Sequence, residues 1–345
     1  MSAGGRVAAD RTFCERLLPR VSRTFALSIE GLPADLRDAV RVSYLLCRVV
    51  DTIEDGKGLE PVQRGALFSA FDDLLAHDVA TDLFEARCGE WMGQVEPAER
   101  ELCHGAGAVF RQFRRLPPHQ RAVISRSVQE MSTGMREYVE RAGAGGLQLV
   151  SMEDLERYCY YVAGTVGQLL TALFLERVPD LEPWRRHAIE SRAVSFGLGL
   201  QMVNIVKDVA ADQARGGHCF LPQQLVQRSG MMQEDLLDPG RRDLAMTVVR
   251  QVCARARKHL RRAQEYTELW PVPDGLTVRE FCAVPLALAL ATLGEVERGD
   301  EALKRGHTPK VTRDTVAQLV ADARQAVASN EALDRLFSRH GPTAC

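Results

Sequence analysis

An all-α fold is predicted for this chain of 345 residues from three observations. Amphipathic helical periods run through nearly the whole sequence, no segment shows a convincing strand-type alternation, and Gly- and Pro-rich breaks punctuate the helical runs. In order, the breaks fall at Gly31 to Pro33, Gly56 to Gly58, Leu116 to His119, Gly143 to Gly146, Gly216 to Gly217, Trp270 to Gly275 and Gly306 to Pro309. Ser151-Met152-Glu153-Asp154 has the order of a helix start, with Asp154 as the N3 acid of a capping box. Gly105-Ala106-Gly107 and Gly197-Leu198-Gly199 lack the preceding strand that a nucleotide-binding turn requires, so they are expected at helix packing contacts. No linker separates two halves, which predicts one helical domain over residues 1–345, with 1–15 and 335–345 loosely ordered.

A hydrophobic share of 46% beside 26% charged residues is ordinary for a soluble globule with a sizeable core. A formal net charge of -2 gives no electrostatic case for nucleic acid or an anionic membrane surface. The nine cysteines form no CxxC and no paired framework, and are expected to be reduced packing residues. The N-terminus lacks a secretory pattern. The longest apolar run, Phe281 to Gly294, contains Pro285 and is too short to cross a bilayer, so a cytoplasmic protein without a transmembrane segment is expected. There is no HExxH, no Gly-x-Ser-x-Gly and no phosphate loop of the Gly-Lys-Ser type.

Chemistry concentrates in two acidic clusters, Asp51-Thr52-Ile53-Glu54-Asp55 and Asp208-Val209-Ala210-Ala211-Asp212. Each sets acids at i, i+3 or i+4, which on a helix stacks them on one face where like charges repel. A cation between the carboxylates relieves that repulsion. Hard oxygen ligands with no His or Cys beside them point to Mg²⁺ rather than zinc. The acids also continue polar stripes on apolar helices. Tyr44, Arg48, Asp51 and Asp55 form one line, flanked by Val42, Leu45, Leu46, Val49, Val50 and Ile53. Gln201, Asn204, Asp208, Asp212 and Arg215 form the second, flanked by Leu198, Met202, Ile205 and Val209. Such narrow stripes line cavities more readily than they face bulk water, although either cluster alone could be a solvated helix end.

Ionising an allylic diphosphate needs two such stripes and a dry chamber. Mg²⁺ neutralises charge on the departing diphosphate, and water must be kept from the carbocation.

Five segments, in order, carry a resemblance: Ser22-Arg23-Thr24-Phe25, Tyr44 to Asp55, Tyr158-Cys159-Tyr160-Tyr161-Val162-Ala163-Gly164, Gln201 through Asn204 to Asp212, and Phe281-Cys282-Ala283-Val284-Pro285. Together they resemble the squalene/phytoene synthase family, more closely its squalene synthases than its phytoene synthases. The resemblance implies a single all-helical class I isoprenoid synthase bundle with a central cavity. It assigns Asp51, Glu54, Asp55, Asp208 and Asp212 to Mg²⁺ and diphosphate, Arg23, Arg48 and Lys207 to diphosphate, and Tyr158 to the neighbourhood of the cation. Tyr44, Tyr161, Val162, Gln168, Leu169, Gln201, Asn204 and Phe281 would line the substrate. Without the resemblance, Tyr158 and Tyr161 read as core aromatics, Phe281 to Pro285 as a buried kinked helix, Arg48 as a helix-surface partner of Asp51, and His218 as a loop histidine.

Four departures from the family pattern bear on the reaction. Ala211 stands where an acid is usual, Lys207 where Arg is usual, and Leu169 beside Gln168 where a small glycine makes room for a long prenyl chain. The basic segment associated with NADPH is reduced to Lys304-Arg305-Gly306. These departures favour transfer of a short prenyl group, such as that of dimethylallyl diphosphate, to an aromatic natural-product acceptor, as in the bacterial carbazole prenyltransferase branch. The alternative is squalene synthase, which joins two farnesyl diphosphates and reduces the product with NADPH. A non-catalytic scaffold of the same fold would have lost the acidic clusters, and both are kept. A monomer or weak homodimer is expected.

Overall fold

The computed structural model describes residues 3–142, 146–214 and 217–339, leaving aside the side chains of residues 3, 23 and 24. Helices dominate the described residues, which contain no β-strand, as the periodicity predicted. An isolated bridge joins Gln148 to Cys219. The chain divides into two compact units, Met1–Glu140 with Gln168–Pro179, and Arg141–Gly167 with Asp180–Cys345.

The first unit contains α1 (Ala3–Val21), α2 (Arg23–Glu30), α3 (Ala34–Asp55), α4 (Pro61–Ala76), α5 (Asp82–Trp91), α6 (Pro97–His104), α7 (Ala106–Arg115) and nearly all of α8 (Pro118–Arg141). At its centre is α3, which packs on α1, α4, α6 and α7. The helix stops at Gly56, and the chain reverses through Gly58, whose φ of 76° suits glycine. It restarts at α4 with Pro61 at N1 and a Glu60–Gln63 capping box, in which the Glu60 N–H donates to Gln63 Oε1 at 3.0 Å.

Helix α1 is tied to α7 by a buried acid. Asp10 is only 4% exposed and accepts from Arg111 at 2.7 and 3.0 Å and from Arg115 at 3.3 Å. Burial works against its charge, yet the two guanidiniums hold its carboxyl below the usual range. Asp10→Asn should therefore lower the unfolding free energy by about 2–3 kcal/mol, the low side for a buried pair because both arginines keep water contact. A depressed folded pKa confers stability that is fully present above the unfolded value of about 4 and is lost as the pH falls below it and through the lower folded value. The melting-temperature difference between variant and wild type should accordingly shrink below about pH 4, and an equal gap at pH 3 and 7 would contradict the assignment.

The second unit holds α9 (Met152–Cys159), a π-helical segment over Tyr160–Gly164, the first turn of α10 (Thr165–Arg177), α11 (Pro183–Ala214), α12 (Gln223–Arg228), α13 (Arg242–Leu269), α14 (Leu276–Arg298), α15 (Arg313–Ala326) and α16 (Asn330–Ser338). Ser151 caps α9 as predicted: its Oγ accepts from Asp154 N at 3.3 Å, and the Asp154 carboxylate accepts from Val150 N at 2.9 Å. Helix α11 packs chiefly on α13 and on the π-helical segment. Glycine makes the second contact possible. A Cβ on Gly197 would lie 2.1 Å from the Ala163 carbonyl oxygen, and one on Gly167 would lie 2.3 Å from that of Ala193. Gly105 and Gly107 likewise press against Phe13 and against Thr81 and Glu85, so both glycine pairs serve packing. The eight cysteines among the described residues are buried and free.

One expectation is corrected here. The apolar run around Pro285 is longer than Phe281 to Gly294: it belongs to α14, which continues through the proline from Leu276 to Arg298. As a result α14, and the helical run Met152–Arg177, are long and apolar enough to cross a membrane. Of their most apolar windows, 72% and 50% respectively are buried inside the protein.

Candidate active site

The stripe drawn on α3 is the face left partly open when the helix packs. Val42, Leu45, Leu46, Val49, Val50 and Ile53 are buried, Tyr44, Arg48, Asp51 and Glu54 are half-buried, and Asp55 is exposed. Arg48 Nη2 donates to Tyr44 Oη at 3.1 Å, with the guanidinium 5.9 Å from the Tyr44 ring centroid. Its Nη1 lies 3.6 Å from Asp51 Oδ2 and 3.7 Å from Glu99 Oε1, the latter on α6. Burial acts to lower the Arg48 pKa, but Asp51, Tyr44 and Glu99 hold it above its usual value.

Asp51 has the opposite problem. Its side chain keeps 26% of its surface, yet it is hemmed in by protein, and burial pushes its carboxyl up to about 7 against the pull of Arg48. Asp55 and Glu99 add repulsion in the same direction. Arg64 of α4 closes the far end, donating to Gly56 O at 2.9 Å close to Glu54 and Asp55.

Among the described residues, no three Asp, Glu, His or Cys groups converge into a closed metal cage. Mg²⁺ is commonly held by one or two carboxylates with the rest of its shell from water and substrate phosphates. A desolvated Asp51 with further acids beside it fits a hard cation held in that half-open way.

On α11 the pattern repeats. Leu198, Met202, Ile205 and Val209 are buried, Gln201, Lys207, Asp208 and Asp212 are half-buried, and Asn204 is exposed. Lys207 Nζ lies 2.7 Å from Asp208 Oδ2, so the lysine sits directly on the acid. Asp212 lines a small cleft with Ile205, Val209, His218 and Phe220. The loop carrying those aromatics is pinned by Cys219 N donating to Leu147 O at 2.9 Å. His218 is the loop histidine expected from sequence: its Nδ1 accepts from Leu147 N at 3.0 Å, which leaves the ring proton on Nε2. Tyr158 is buried, and its ring stacks on Phe220 at 5.0 Å, with Phe220 in turn 6.0 Å from the His218 ring.

The remaining candidates are dispersed. Tyr161 and Val162 are half-buried on the π-helical segment, with Arg157 over the Tyr161 ring at 5.7 Å. Phe281 is buried in α14. Leu169 is 1% exposed while Gln168 beside it is exposed, so the two do not form one wall. Arg23 opens α2, but its side chain, like Arg215 of the second stripe, lies outside the described residues.

Sequence reasoning missed Glu99, Arg64 and Phe220, and also the π-helical turn, a feature frequent at functional sites. Glu99 was hidden in plain sight: in Glu96-Pro97-Ala98-Glu99 it occupies the N3 position of a helix start and reads as a capping acid. Only the packing of α6 on α3 brings it to Arg48.

An all-helical fold with acidic stripes on two of its helices defines an isoprenoid synthase of the prenyltransferase class. Residues 18–329 match the squalene/phytoene synthase family, and the chain belongs to it. Squalene synthase of Cyberlindnera jadinii is 28% identical over 96% of this chain and 71% of its own length. That of Mus musculus is 29% identical over 90% and 69%. Among solved structures, a ligand complex of TcSQS superposes with a TM-score of 0.81 at 26% identity, covering 98% of this chain and 94% of that one. A dehydrosqualene synthase, at 22% identity and a TM-score of 0.63, shares the fold. Members of the family transfer prenyl groups from diphosphate donors, and this protein is a prenyltransferase. Squalene synthase relatives, together with two helices of membrane-spanning length and composition, overturn the expectation of a cytoplasmic protein.

Proposed function

We propose that the protein is a squalene synthase-type enzyme that couples two prenyl diphosphates. The observation that carries this reading is Asp51, a desolvated carboxylate backed by Asp55 and Glu99 and facing Arg48, within a chain that aligns with squalene synthases over nearly its whole length. The comparisons favour this head-to-head coupling over the aromatic-acceptor transfer suggested by Lys207, Gln168, Leu169 and Ala211.

In this reading Asp51, Glu54 and Asp55 on one helix, and Asp208 and Asp212 on another, present oxygens to Mg²⁺. The metal, when bound, supplies Lewis-acid stabilisation of the departing diphosphate. The C1–O bond of one allylic diphosphate breaks; Arg48 beside the first acidic cluster and Lys207 beside the second are each cations suited to the negative charge that leaves. The allylic cation then forms a carbon–carbon bond with the second substrate, and one proton is lost. Buried flanks such as Leu198, Met202, Ile205 and Val209 limit water at the acids. Tyr158, stacked on Phe220, offers a ring face to positive charge.

One observation sets the reductive half apart. Lys304, the remnant of the basic segment, is already tied to Asp300 at 2.7 Å and Glu301 at 2.8 Å, which consumes its charge. Incubating the pure protein with farnesyl diphosphate and Mg²⁺, with and without NADPH, tests both halves. A C30 product with NADPH-independent pyrophosphate release is expected from the coupling step, and squalene appears only if NADPH is used. Pyrophosphate released solely in the presence of an aromatic acceptor, with no C30 product, would restore the aromatic-acceptor reaction.

A further inference from the structure

We propose that Glu99 is a positioning residue that holds Arg48 off Asp51 and so keeps the Asp51 carboxylate open to Mg²⁺; the inference rests on the reading of Asp51 as a metal–diphosphate group. Arg48 Nη1 lies 3.6 Å from Asp51 Oδ2 and 3.7 Å from Glu99 Oε1, nearly midway between two carboxylates on different helices. Charge-assisted N–H···O bonds settle at about 2.7–2.9 Å, so neither acid has captured the guanidinium. The other anchors agree with a held intermediate position. Nη2 donates to Tyr44 Oη at 3.1 Å, and Nε is buried with no hydrogen-bond partner.

Opposed pulls of equal length cancel, whereas a single carboxylate would draw the guanidinium in. With Glu99 neutral, Arg48 would close on Asp51, occupy its lone pairs and place a positive charge where the metal must come. Glu99 therefore acts through Arg48. Its carboxylate also gives Arg48 a second resting partner once the diphosphate product departs.

The test is calorimetric titration of the intact protein with Mg²⁺ in the presence of inorganic pyrophosphate, alongside steady-state kinetics. Glu99→Gln should raise the Mg²⁺ concentration for half-saturation about fivefold, the size of coupling usual between contacting charges, with kcat at saturating Mg²⁺ and the melting temperature nearly unchanged. Glu99→Asp, which keeps the charge on a shorter arm, should recover part of that loss. In an Arg48→Met background the Glu99→Gln effect should disappear. If it persists there, Glu99 is itself a metal ligand and the positioning role is wrong. An unchanged Mg²⁺ dependence in Glu99→Gln also overturns the inference. Failure of the wild-type protein to bind Mg²⁺ with pyrophosphate at all would instead sink the metal–diphosphate reading beneath it.

Discussion

Asp51→Ala and Asp208→Ala are each expected to lower pyrophosphate release from an allylic prenyl diphosphate by about 10³-fold or more, equivalent to about 4 kcal/mol of transition-state stabilisation. The reason is the role proposed for these carboxylates, since each presents oxygens to the ion that neutralises the leaving group. At Asp51 the stability effect should run the other way. Its carboxyl is pushed up to about 7 by burial and by Asp55 and Glu99, so its ionised form strains the free protein. A raised folded pKa confers stability below the unfolded value of about 4 that is lost as pH rises through 7. Asp51→Ala should therefore gain stability relative to wild type as the pH rises from about 4 to 7, keep that gain above 7, and lose its chemistry, the signature of a functional group kept at a structural cost. Denaturant midpoints at pH 5 and 8, paired with coupled pyrophosphate assays, read both effects. Activity within tenfold of wild type, or activity indifferent to Mg²⁺, would remove the acids from the reaction.

The largest expected stability effect lies at Gly197. A methyl group there would meet the Ala163 carbonyl oxygen at 2.1 Å and its carbon at 2.4 Å, both backbone atoms that no rotamer change can move. Overpacking usually costs about 1–3 kcal/mol, and a backbone obstacle puts Gly197→Ala at or beyond the upper end. The contact seats α11, with Asp208 and Asp212, against the π-helical segment that follows Tyr158. Urea unfolding should show a clear fall in midpoint, and Gly65→Ala provides the contrast. Nothing lies within 4 Å of a Cβ at Gly65, so alanine in that helix should be neutral or stabilising. Equal midpoints for the two variants would mean that the close approach of the helices carries no energetic weight.

Much of the site was legible because its signals are local. The stripes on α3 and α11 follow from helical spacing, and burial of their flanks matches the apolar positions read from sequence. The breaks at Gly31 to Pro33, Gly56 to Gly58 and Trp270 to Gly275 fall between helices, while those at residues 143–145 and 216 lie outside the described residues. Illegible features depend on partners remote in the chain. Glu99 looks like a cap until α6 lies on α3, and the apolar run through Pro285 looks too short to cross a membrane until the whole helix around it is in place. Gln168 and Leu169 read as one obstruction because adjacent letters hide the turn of roughly 100° between successive helical residues.

The amino-acid order alone determined that this protein is helical, that its acids stand in two stripes, and that it resembles the squalene/phytoene synthases. Periodicity and motif order are written in covalent sequence and survive without knowledge of contacts. The tertiary structure decided which acid is desolvated, which arginine is held between two carboxylates, where a helix must give up its side chains to let another approach, and that a proline-containing run is a continuous helix. Those outcomes depend on burial and distance between segments far apart in sequence, quantities that exist only once the chain has packed.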